Sequence, residues 1–165
     1  MNVMDRIATL HPNARRFQDY LLSRGFDLSV FELAASTRTA ADAAVALGCA
    51  VGRIAKSLVF KSRADDKPVL VICSGSNRVD LKKVKEHTGL VLKRADADYV
   101  KAHTGFSIGG VPPAGHRQQI TTLLDEDLQS YDSFWAAAGT PHGLFELTPE
   151  QLESMTGGSW LSVST

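Results

Sequence analysis

Residues 54–74 read IAKSLVFKSRADDKPVLVICS. Two apolar, partly β-branched runs, 54–62 and 67–74, flank the polar turn Arg63-Ala64-Asp65-Asp66, a spacing that predicts an antiparallel strand pair. Everything on either side of this pair is read against it. Toward the N-terminus, His11-Pro12 followed by ARRFQDYLLSR and Gly25 predicts a helix with proline at its first position, Phe17 and Leu21 on one face and glycine at its end. DLSVFEL (27–33) alternates as a strand does, and Thr39-Ala40-Ala41-Asp42 resembles a cap opening an alanine-rich helix that ends at Gly48. Toward the C-terminus, Asp80 caps LKKVKEH, which stops at Gly89. After the short run LVLKR, Asp96 caps ADYVKAH, closed by Gly105. QITTLLD, SFWAAA, GLFEL and SWLSVS read as short strands. Thr148-Pro149-Glu150-Gln151 is a capping box that opens one more helix among them. Strands and helices mix without strict βαβ alternation, so the expected fold is mixed α+β: a mostly antiparallel or mixed sheet with surrounding helices, not a doubly wound parallel one.

The bulk numbers bound the rest. At 165 residues, 44% of them apolar and 22% charged, the chain is long enough for a core without staples and close to the soluble average. No repeat, low-complexity tract or linker divides it, which predicts one domain over 1–165 with a helical N-terminal extension over about 1–25. MNVMDRIATL holds no apolar stretch of signal-peptide length, and no run reaches the roughly 18 residues of a membrane span, so a cytoplasmic protein without a membrane partner is expected. Cys49 and Cys73 form no CxxC and read as reduced core residues. Net charge is zero, yet it is unevenly spread. Residues 53–94 hold eleven Lys or Arg against four acids, and beyond Arg117 there are seven acids and no Lys or Arg. Such asymmetry steers an anionic partner toward one face, or reflects nothing more than a solvated surface with segregated charge.

Several chemistries are missing. No GxSxG, HExxH, P-loop or GxGxxG occurs, and His11, His87, His103, His116 and His142 show no metal spacing, so neither metal nor cofactor is expected. Three features remain. Lys56 shares strand parity with Ile54, Leu58 and Phe60, so its ammonium either snorkels out or faces a ligand cavity. GFSIGGVPPAGH (105–116) combines four glycines with two prolines: it is a tight connection between strands, or a rigid backbone nest for an oxyanion or phosphate. AAAGTPH (136–142) is a second glycine–proline turn, whose alanines leave room for a ligand or for close strand packing.

IAKSLVF, SGSNRVDLKKV (74–84), GFSIGGVPPAGH and AAAGTPHGLFELTPEQL (136–152), in that order and spacing, resemble the YbaK/EbsC family, also called the prolyl-tRNA-synthetase-associated or editing domain. The resemblance covers roughly residues 25–163. It implies a mixed α/β fold around a twisted, barrel-like sheet, and hydrolysis in trans of the ester joining a wrong amino acid to a tRNA. It makes Lys56, Gly109 and Gly110 the catalytic set, with Lys56 near the terminal adenosine and its phosphate and the 109–113 loop against the aminoacyl ester. It places Ser57, Val111, Pro112, Pro113, Gly115, His116, Ala138, Gly139, Thr140, Pro141 and His142 around the substrate. In this family the substrate's own ribose hydroxyl is thought to assist, which removes the need for a Ser/His/Asp set. Some cysteine-specific members read SGG where this chain reads AAGT, so cysteine specificity is not carried over.

The expected function is therefore trans-editing of a tRNA mischarged with a small amino acid (Ala, Ser, Thr or Cys). The alternative is a module that binds aminoacyl-adenosine or tRNA without turnover. Expected partners are the tRNA acceptor end, received on the basic stretch 53–94, and a synthetase or elongation factor that selects the tRNA. Nothing resembles a DNA-recognition helix, so no DNA partner is expected.

Overall fold

The structure, a computed structural model, describes residue 7 and residues 9–165. Part of the expected N-terminal extension, residues 1–6 and 8, lies outside the described residues. The chain runs through α1 (Pro12–Ser23), β1 (Val30–Glu32), α2 (Ala40–Leu47), β2 (Ile54–Ser62), β3 (Pro68–Ser74), α3 (Leu81–Thr88) and β4 (Leu92–Arg94). It continues with α4 (Ala97–Thr104), β5 (Thr121–Asp125), β6 (Phe134–Ala137), β7 (Gly143–Leu147), α5 (Pro149–Thr156) and β8 (Ser159–Leu161).

The hairpin forms as its sequence implies, with Lys56 opposite Cys73 and Lys61 opposite Pro68. Every residue of β3 is buried, because β2 flanks it on one side, β5 on the other, and helices and loops cover its faces. The full order is β1-β7-β6-β2-β3-β5-β8, with β4 added to β2 and the end strands β1 and β8 not paired to each other. Antiparallel pairs (β1/β7, β2/β3, β2/β4, β6/β7) mix with parallel ones (β2/β6, β3/β5, β5/β8). This is the mixed sheet expected.

One consequence of that pairing creates a site. On the edge of β2 away from β3, β6 takes Ile54 and Ala55, and β4 takes Phe60–Ser62. Residues 56–59 have no strand beside them on that edge. The amide of Gly75 donates to Ile54 O (2.7 Å) and that of Ser62 to Lys67 O (2.8 Å), so even-numbered residues of β2 turn their main-chain groups toward β3. Ser57 and Val59 therefore turn theirs into the gap.

Local signals placed the helices. Asp80 accepts from the amides of Lys82 and Lys83, Asp96 from that of Tyr99, and Thr148 and Gln151 form the reciprocal capping box. The expected strand over 27–33 contracts to Val30–Glu32. Buried Gln18 of α1 explains why: its Nε2 donates to Leu28 O (2.8 Å) and its Oε1 accepts from the Val30 amide (2.7 Å), so a helix side chain takes groups that a longer ladder would need. Two short helical turns, Val51–Arg53 and Glu126–Ser130, have no counterpart in the sequence reading. The main core gathers Phe17, Phe106, Phe134 and Phe145 between α1 and the sheet, with the Phe17 and Phe145 rings 4.9 Å apart. Cys73 is buried and Cys49 half-buried, and both are free thiols. Among the described residues no helix is long and apolar enough to cross a membrane.

Candidate functional site

Lys56 is the first residue of the open stretch of β2. Its Nζ donates to the main-chain oxygen of Asn77 at 2.6 Å, in the turn between β3 and α3. Asn77 is itself clamped, its side-chain amide donating to Asp125 Oδ2 (2.9 Å) and Asp127 Oδ2 (2.7 Å). Asp125 is buried at the end of β5 and also accepts from the amides of Ser74 (3.0 Å) and Asp127 (3.0 Å). A buried carboxylate needs such donors. The result is a rigid turn that holds the ammonium in place. Opposite Lys56, burial first and the Asp125 carboxylate second push the Cys73 thiol up to about 12, against the pull of Lys56. It stays protonated at neutral pH and is no nucleophile.

Lys56 lines a cavity of about 290 Å³ together with Ser57, Gly109, Val111, Arg38 and Thr39. The Ser57 hydroxyl is buried with no hydrogen-bond partner. Among the described residues no carboxylate lines this cavity. A second cavity of about 470 Å³, reached past Ser57, Leu58, Ile108 and Val111, extends along the same open edge toward Phe60, Arg78 and Arg94. Both cavities follow from the gap between β6 and β4.

The 105–116 loop divides its amides. That of Gly110 donates to Ser107 O (2.9 Å), so it is spent on the loop's own turn. Those of Gly109 and Val111 make no hydrogen bond to another described residue. Gly109, at φ +89°, is in a conformation that glycine alone takes readily. The Ile108 amide makes none either, so three residues of this loop that line the cavity carry amides without a partner among the described residues, with Gly110 between two of them.

Gly110 lies against the second glycine–proline loop. A Cβ there would sit 2.9 Å from the Thr140 backbone, and the Gly139 amide donates to Gly110 O at 2.9 Å. Ala138, Gly139 and Thr140 are buried behind the first loop; among the cavity's lining residues, that strand end contributes Ala137. Pro141 O accepts from the amide (2.6 Å) and the hydroxyl (2.9 Å) of Thr37, and His142 Nδ1 lies 3.2 Å from Leu33 O and Ala35 O. These residues hold the segment 33–39 in place. Pro113, Gly115 and His116 turn the other way, lining a separate cavity of about 280 Å³ with Tyr20 and Arg24. Pro112 stays with the loop core: its carbonyl accepts from His116 Nε2 at 2.7 Å, which fixes the proton on that nitrogen.

Of the residues singled out in the sequence, Lys56, Ser57, Gly109 and Val111 meet in one cavity, while the others brace it or face elsewhere. Arg38, Asn77 and Asp125 were missed. Arg38 sits in TRTAAD, which reads only as a helix cap; Asn77 and Asp125 are 48 positions apart, with no pattern to join them. Among the described residues no three His, Cys, Asp or Glu side chains could hold a metal ion.

The comparisons with known proteins fall on this same region. The sequence model of the aminoacyl-tRNA editing domain matches residues 34–155, which include both glycine–proline loops and Lys56. A crystal structure of a candidate trans-editing enzyme for prolyl-tRNA synthetase is 47% identical. It superposes with a TM-score of 0.89, covering 95% of this chain and 99% of that one. EbsC of Enterococcus faecalis (strain ATCC 700802 / V583), a candidate Cys-tRNA(Pro)/Cys-tRNA(Cys) deacylase, is 33% identical over 130 residues, 77% of each chain. YwhH of Bacillus subtilis (strain 168), an uncharacterized protein, is 31% identical over 142 residues, 86% of this chain and 88% of YwhH.

Proposed function

This chain belongs to the aminoacyl-tRNA editing domain family and is an aminoacyl-tRNA deacylase, and we propose that it acts in trans on a tRNA mischarged with a small amino acid of the Ala, Ser, Thr or Cys class. The observation that carries the reading is one cavity lined by Lys56, Ser57, Gly109 and Val111, the last two with amides that bond to no described residue.

An aminoacyl ester is already activated, so its hydrolysis needs placement and charge stabilisation more than a protein nucleophile. In the proposed step a water oxygen attacks the ester carbonyl carbon, and the carbonyl oxygen becomes an oxyanion. The Gly109 and Val111 amides donate to it; losing one such donor typically costs about 2.7–4 kcal/mol. The carbon–oxygen bond to the ribose then breaks as the oxyanion collapses, and a proton of the attacking water passes to the leaving ribose oxygen, giving the free amino acid and a ribose hydroxyl on the tRNA. Lys56 anchors the nucleotide end electrostatically, and Asn77 keeps its ammonium from swinging away. The family resemblance adds assistance from the neighbouring ribose hydroxyl. Apolar lining by Ala137, Ile54 and Leu144 favours small side chains, with a discrimination of about 1–3 kcal/mol per methylene.

The similarity to a candidate trans-editing enzyme for prolyl-tRNA synthetase supports tRNA(Pro) as the carrier, with that synthetase as the working partner. A panel of mischarged tRNAs tests the whole reading. Purified protein is expected to release a small amino acid from at least one of them, and Lys56→Ala to cut kcat/KM at least about tenfold, ~1.4 kcal/mol. Release no faster than in buffer across the panel overturns it.

A further inference from the structure

We infer that Arg38 is a substrate-binding residue that grips the phosphodiester on the 5′ side of the terminal nucleoside, working with Lys56 across the cavity. The inference rests on the deacylase reading for the identity of the ligand and on geometry for the site. Arg38 and Lys56 line the same cavity, and no carboxylate of the described residues does. Ion pairs among the described residues join Arg53 to Glu146 and Lys93 to Asp66, so none of these residues' carboxylates pairs with either cavity cation. The ester is neutral and the amino group of an aminoacyl ligand is itself a cation. The anion nearest that ester is the phosphate on the terminal ribose, and a guanidinium fork matches phosphate oxygens two at a time.

The position of Arg38 is built. Its side-chain stem lies flat on Gly109: a Cβ on that glycine would stand 2.5 Å from Arg38 Cγ and 3.4 Å from its Cβ and Cδ. The cavity-lining glycine whose amide has no described partner is therefore also the seat of the arginine. The segment that carries Arg38 is tied down from behind, by Pro141 O to the amide and hydroxyl of Thr37 and by His142 O to the amide of Leu33 (2.9 Å). Both glycine–proline loops thus set the arginine against the lysine. This accounts for residues 141 and 142, which lie outside the cavity yet support one of its walls.

Three measurements test it with the full chain. The first is binding of a labelled, uncharged RNA ending in CCA. Arg38→Ala is expected to weaken it about tenfold and to flatten the dependence of log K on log salt by about 0.7, the share of one single-strand phosphate contact. Arg38→Lys, which keeps the charge without the fork, is expected to recover part of the affinity. The second is steady-state hydrolysis of mischarged tRNA, where Arg38→Ala is expected to raise KM about tenfold and change kcat less than twofold. The third repeats this on a 3′-aminoacyl-adenosine without a 5′-phosphate, where the tenfold difference from wild type is expected to vanish. Wild-type affinity for the RNA in Arg38→Ala, or an equal loss on the phosphate-free substrate, overturns the inference, as does a wild-type protein that fails to bind the RNA. If the wild type hydrolyses no mischarged tRNA, the deacylase reading falls, and the RNA-binding arm alone decides the role of Arg38.

Discussion

Lys56 is placed by a residue on another turn, not by its own strand. The carbonyl of Asn77 takes its ammonium, and two carboxylates of the chain's acidic end, Asp125 and Asp127, take the side chain of Asn77. The sequence alternatives for this lysine were an ammonium in solvent or one facing a cavity; the structure has it cavity-lining and anchored. His116 illustrates the opposite case, a candidate site residue whose role is internal. Burial holds its imidazole below the ordinary 6.5, outweighing the Pro112 carbonyl that pulls it upward. The folded state takes up this proton less readily than the unfolded chain, so the stability His116 contributes is complete above pH 6.5 and is lost as pH falls from 6.5 through the folded value. His116→Gln is expected to flatten the pH dependence of Tm in the acid range, read by thermal melts over a pH series. An unchanged slope would show that other groups govern it.

At the scale of elements, the site is a break in a sheet edge lined by a loop. β6 and β4 each cover one end of β2 and leave four residues between them, and Ile108, Gly109 and Val111 of the 105–116 loop line the cavities at this gap. Strands leave main-chain groups unpaired only where something else takes them; here the open groups of Ser57 and Val59 face ligand space. The loop in turn is wedged against the 136–142 turn through Gly110, whose hydrogens face the Thr140 backbone. Gly110→Ala is expected to destabilise the fold by about 1–3 kcal/mol in urea titration, the usual cost of overpacking, because a 2.9 Å contact with backbone cannot relax by a rotamer change. Deacylation should fall with it, since the amides of Gly109 and Val111 flank the displaced residue.

Over the whole molecule, zero net charge conceals a polar distribution. α3 carries exposed Lys82 and Lys85 a few positions after Arg78 at the larger cavity, while beyond position 117 there are seven acids and no Lys or Arg. The neutral total limits non-specific affinity, and under the proposed function the basic stretch is expected to orient the tRNA with its end toward the cavities. Lys82→Glu together with Lys85→Glu is expected to weaken binding of whole tRNA several-fold and to reduce its salt dependence, measured by filter binding over a salt series. Unaltered affinity would place the acceptor stem on another face.

Helix boundaries were legible in the sequence because capping is a local exchange of hydrogen bonds: Asp80, Asp96 and Thr148 bond to amides two or three residues away. The β2–β3 hairpin was legible for a similar reason, its two apolar runs being joined by four residues. Lys56 and the glycine–proline loops also stood out, as residue types that their neighbours do not explain. Tertiary structure alone decided which amides of the loop stay open, that Arg38 lies on Gly109, and that Asn77 links Lys56 to Asp125. Each of these depends on chain segments that are distant in sequence and meet only once the sheet has formed. A linear pattern records what a residue can do with its near neighbours, whereas a binding cavity is made of the groups that long-range packing leaves without partners.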